Sequence, residues 1–193
     1  VFSPRSRILT PAAALAAGAA LGSLTRLLET NASTAGRAVY LVVNEAWPWS
    51  ALAFCVGLAC ASRVASAALA AASLVAAVVA YYAVDAHTTW GGVLSATLAW
   101  GAVALVAGPI LGLLGNLARM RGLRGLTFRL VIPLLAVVET SARLQAEVSV
   151  QGPVGETAWT ITRLAAVAAC LALAAYTVLI NRRHRGRPSD GQG

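Results

Sequence analysis

VASAALAAASLVAAVVAYYAV, residues 64–84, carries no charged side chain from end to end. A helix rises about 1.5 Å per residue, so a run of this length reaches roughly 30 Å, the depth of a bilayer's hydrocarbon core. Inside lipid the backbone must satisfy its own hydrogen bonds, and a helix does so locally. Five further apolar blocks flank this one, at about 8–28, 45–62, 92–117, 128–142 and 159–180. The chain therefore reads as all-α, a polytopic transmembrane helix bundle with six predicted spanning helices. Residues 1–193 make a single membrane domain, and 181–193 is expected to be a disordered basic cytoplasmic tail. The composition agrees: 59% hydrophobic and 11% charged residues lie far from the balance of a soluble chain.

The first block follows Ser3-Pro4-Arg5-Ser6-Arg7, a start that also suits a signal peptide. Its apolar part is longer than most signal cores, and Arg26 closes it without a clear cleavage site, which favours a first spanning helix. Cys55, Cys60 and Cys170 fall inside apolar blocks without CxxC spacing and read as small buried hydrophobes.

All 15 basic residues are arginine. A basic excess points to nucleic acid where it forms a continuous patch; here it is divided among short loops, so no nucleic-acid partner is expected. With the N-terminus inside, eleven arginines (5, 7, 63, 119, 121, 124, 129, 182, 183, 185 and 187) fall on the inner side, against four (26, 37, 143 and 163) on the outer. Positive charge is retained in the cytoplasm, so both termini are placed there and the protein in the cell inner (cytoplasmic) membrane. The lack of lysine beside heavy Ala, Gly and Arg use points to a GC-rich bacterial genome. The basic stretches at Asn116–Arg129 and in the tail suit anionic lipid headgroups as partner. A membrane-protein partner or a homo-oligomer is also open.

LVVNEAWPWSALAFCVGLA, residues 41–59, interrupts the apolar pattern. Pro48 in the first turn of the second spanning helix loses no hydrogen bond. Asn44 or Glu45 is then the expected cap, with Trp47 and Trp49 at the outer interface. The preceding run Ala38–Val43 is too short to span, so the second helix is expected to be discontinuous, a feature that in transporters exposes backbone groups to substrate.

Glu139 lies within the fifth block. A charged side chain at a helix centre in the membrane costs about 2.5 kcal/mol or more, so Glu139 needs a partner. Arg26, Arg143 and Arg163 are the candidates, making an intramembrane charge network with Glu139. That network is either a structural ion pair or the floor of an outward-facing polar cavity. A second candidate, an outer-face polar site, gathers Asn44, Glu45, Asp85 and His87. Asp85-x-His87 offers two metal ligands, but a catalytic zinc takes three protein ligands, and the other histidine, His184, is placed in the cytoplasmic tail. No metal, catalytic residue or cofactor is assigned. Gly108 and Gly112 have the spacing of close helix packing, and Pro109 predicts a kink. The sequence contains no GxSxG, Walker loop or HExxH, which excludes a soluble-type enzyme.

The segments LGSLTRLLE (21–29), NEAWPWSALAFCVGLA (44–59), YYAVD (81–85) and GPILGLLGNLAR (108–119), followed by an apolar helix bearing Glu139, carry a resemblance. Over about Ala12 to Arg143 the chain resembles an actinobacterial multi-pass integral-membrane family, a domain of unknown function. Glu45 and the longer fifth loop depart from its pattern. The resemblance implies a bacterial inner-membrane protein and supplies no substrate, cofactor or catalytic residue. The expected function is that of a non-catalytic accessory or assembly protein. The alternative is a small-solute or ion transporter or channel using a cavity near Glu139, and a membrane-embedded enzyme ranks below both.

Overall fold

The computed structural model describes residues 4–84 and 90–185. Its elements are α1 (Pro4–Glu29), α2 (Thr34–Val43), α3 (Ala46–Ala59), α4 (Arg63–Ala83), α5 (Trp90–Leu117), α6 (Gly122–Arg129), α7 (Val131–Ala146) and α8 (Val148–Arg185). Five helices are long and apolar enough to cross a membrane, and six spans result if α2 and α3, bent by 58° at their junction, make one broken crossing. The fold is the all-α polytopic bundle that the apolar blocks predict.

The uncharged run quoted first becomes α4, the centre of the bundle, packed against α1, α3 and α5. Small residues allow this. A methyl group on Gly18 would lie 2.0 Å from the Ser73 carbonyl oxygen, and one on Gly112 would lie 2.3 Å from that of Ser66. Backbones this close gain dispersion and weak Cα–H···O contacts, the main attraction between helices that lipid solvates as well as each other. Buried hydroxyls do not disturb the helices: Thr25 and Thr140 bond back to the carbonyls of Leu21 and Ala136, four residues earlier. Cys60 is buried, whereas Cys55 is exposed on α3, facing outward from the protein rather than into it.

A second group, α7 with α8, holds α2 and α3 at one end. Helix α6 passes into α7 through Leu130, whose N–H bonds to the Leu126 carbonyl while its own carbonyl accepts from Leu134. The two form one span from Gly122 to Ala146, so most of the basic stretch expected as a loop at 116–129 is helical. The segment between the fifth and sixth blocks is helical as well, from Val148. It breaks at Gly152 (φ 64°, ψ −161°), directly before Pro153. Proline disfavours helical geometry in the residue before it, and a positive φ is readily adopted by glycine. At the other end α8 continues to Arg185, so 181–185, expected as disordered tail, are helical.

Candidate functional site

Helix α3 begins at Ala46 with Glu45 as its N-cap residue in extended geometry, yet the Glu45 side chain makes no capping bond. The cap comes from α7. Glu139 accepts the Ala46 N–H at Oε1 (2.8 Å) and the Trp47 N–H at Oε2 (2.9 Å). The first N–H groups of any helix lack intrahelical acceptors. Here two of them share one carboxylate, and the next residue, Pro48, has no N–H to satisfy. The carboxylate also faces the positive end of the helix dipole. Asn44, expected as a cap of α3, instead ends α2 and bonds through Nδ2 to the Tyr40 hydroxyl at 3.0 Å.

Glu45 turns toward α7 and α8 and is 4% exposed. Its Oε2 accepts from Arg143 Nε at 3.0 Å, and its Oε1 from Trp159 Nε1 at 3.1 Å. Arg143 also pairs with Glu147, one turn along α7. Trp159 is 1% exposed, the largest fully buried side chain among the described residues. Arg37 of α2 reaches Gln151 of α8 at 3.0 Å. The broken helix is thereby fastened to α7 by two charged groups and to α8 by an indole and an amide. Glu45 and Glu147 share a single guanidinium, that of Arg143.

The expected charge network is divided in space. Glu139 is held by backbone N–H groups, and Arg143, on the same helix, is held by Glu45 and Glu147. Arg26 pairs with Glu29 on α1 and lies 5.6 Å above the Tyr81 ring, whose hydroxyl donates to Glu29 at 2.7 Å. Tyr81 connects this second cluster to the first, standing edge-on to Trp49 with ring centroids 6.4 Å apart. Arg163 is half-buried one turn past Trp159 and makes no ion pair among the described residues. Asp85 and His87 lie outside the described residues. Among those described, no three His, Cys, Asp or Glu side chains converge as a metal-binding set.

Of the two tryptophans expected at the interface, Trp49 donates through Nε1 to the Val43 carbonyl at 3.2 Å, bridging the break. Trp47 Nε1 is buried with no hydrogen-bond partner among the described residues. Trp159 and Glu147 were not legible as site residues. Trp159 reads as the start of an apolar block, and its sole signal is an indole, which needs a partner once buried.

The model of a family of unknown function, DUF6518, matches residues 2–188. No curated protein and no solved structure matches the chain.

Proposed function

This chain belongs to that family, and we propose that it is a non-catalytic accessory or assembly protein of a bacterial inner membrane, actinobacterial in source. The reading rests on one observation. The two glutamates at the start of α3 are fully engaged: each oxygen of Glu45 and of Glu139 already accepts a bond that joins two helices. Such groups build a shape. That shape leaves α5 and α8 with long apolar faces, including Leu98, Val106 and Leu171, open to lipid or to another membrane protein. A photo-crosslinking residue placed at these three positions in living cells is expected to give a discrete product heavier than the chain. Products with lipid alone at all three would overturn the assembly role.

The arginine distribution supports cytoplasmic placement of both termini. Alkaline phosphatase fused after Ile180 is expected to be inactive and, inserted beside Glu147, active. The reverse pattern would invert the protein.

A transport reading is favoured by one feature, the surplus of carboxylates over guanidinium beside a broken helix. It requires cation flux into proteoliposomes that Glu139→Gln or Glu45→Gln abolishes. The accessory reading predicts no flux above that of empty vesicles.

A further inference from the structure

Four of the five described acidic residues, Glu29, Glu45, Glu139 and Glu147, gather at one end of the bundle; the opposite end is basic. Two turns meet there. Asn116 Nδ2 donates to the Cys60 carbonyl (2.9 Å) and to Ser66 Oγ (3.0 Å), and Arg119 donates to the same carbonyl (2.7 Å). These bonds tie the α3–α4 turn to the end of α5. Arg129 reaches back to the carbonyls of Ala118 (2.8 Å) and Met120 (3.1 Å), closing the α5–α6 turn. Arg119 and Arg129 therefore serve the backbone.

Arg63, Arg121 and Arg124 are different. All three are exposed and make no ion pair among the described residues. Beside them are Val64, 80% exposed, Leu123, 65% exposed, and Met120, 38% exposed. Guanidinium groups alternate with apolar side chains on two turns held rigid by the bonds above, at the ends of membrane spans. A phospholipid matches both chemistries at once. Its phosphate accepts the planar fork of arginine, and its acyl chains cover the apolar tips. A soluble anion would engage the arginines and leave the apolar tips in water.

We propose that the α3–α4 and α5–α6 turns form one binding surface for phospholipids with anionic headgroups. Arg63, Arg121 and Arg124 receive the phosphate oxygens, and Val64, Met120 and Leu123 enter the acyl layer. The proposal rests on the membrane reading of the fold and is independent of the accessory role and of which end faces the cytoplasm, so its failure would leave those readings standing.

The test uses the full chain in mild detergent, titrated with phosphatidylglycerol, phosphatidylcholine or inorganic phosphate and followed by native mass spectrometry. Phosphatidylglycerol is expected to bind in preference to phosphatidylcholine. An arginine near an anionic surface contributes roughly fivefold in binding, so the double variant Arg121→Gln/Arg124→Gln should lose roughly thirtyfold, with phosphatidylcholine binding unchanged. Both side chains are exposed, so the variant should elute from gel filtration as the wild type does. Arg37→Gln, at the opposite end, is expected to leave phosphatidylglycerol binding intact. The surface assignment is overturned by equal binding of the two lipids, by wild-type affinity in the double variant, or by an equal loss in Arg37→Gln. Displacement of the lipid by equimolar inorganic phosphate would mark a soluble-anion site and overturn it too.

Discussion

Replacing Glu139 by alanine removes both acceptors at the start of α3 without touching α3 itself. A hydrogen bond to a charged group contributes about 1.5–3 kcal/mol when part-buried. The Trp47 bond is part-buried and falls in that range. The Ala46 bond is exposed, so water replaces much of it, and about 0.5–1 kcal/mol is the fitting figure. The expected loss is therefore about 2–4 kcal/mol. For chains of this size, 1 kcal/mol corresponds to a shift of about 2–4 °C in melting temperature, so Glu139→Ala should melt about 5–15 °C below the wild type. Glu139→Gln keeps one acceptor oxygen but turns an NH2 group toward the second N–H, and should fall between the two. Tryptophan emission in mild detergent is a suitable probe because Trp47 and Trp49 lie in the first turn of the affected helix. An alanine variant melting within about 2 °C of the wild type, with unchanged emission, would refute the claim that Glu139 holds the broken helix.

Two further outcomes follow from the same geometry. Trp159→Phe keeps the ring but removes one donor to the buried Glu45 carboxylate, and should destabilise by about 1–3 kcal/mol in the same melting assay; an unchanged melting temperature would mean that the Glu45 bond is not needed. At Gly57 a methyl group would lie 2.0 Å from the Gly112 carbonyl oxygen, whereas at Gly101 it would meet nothing within 4 Å. Gly57→Ala should therefore lower stability by about 1–3 kcal/mol while Gly101→Ala does not, and equal behaviour of the pair in thermal melts would contradict the close packing of α3 on α5.

The apolar runs determined what the chain is. The uncharged run at 64–84 forms helix α4 and seeks lipid because a run of that length has no better way to satisfy its backbone and its side chains, and this needs no partner to be known. The same holds locally at Pro48, whose missing N–H confines it to the first turn of α3, and at Gly152-Pro153, where the chain breaks for backbone reasons alone. The partner of Glu139 was not local. Sequence pointed to an arginine because charge calls for charge; in the folded protein the start of α3 arrives beside α7 with two unsatisfied N–H groups, and a carboxylate can accept both. Arg143, one turn away, is thereby left to Glu45 and Glu147, and Glu45 recruits Trp159 from a block that reads as plain membrane helix. The polar stretch at Asn116–Arg129 reads as a loop by its arginines, yet two of them turn back onto carbonyls and the chain resumes its helix at Gly122. Which donor meets which acceptor depends on helices brought together from positions about a hundred residues apart. Hydrophobic periodicity and length act along the chain, whereas hydrogen-bond satisfaction at a buried helix end is decided by the neighbour that packing delivers.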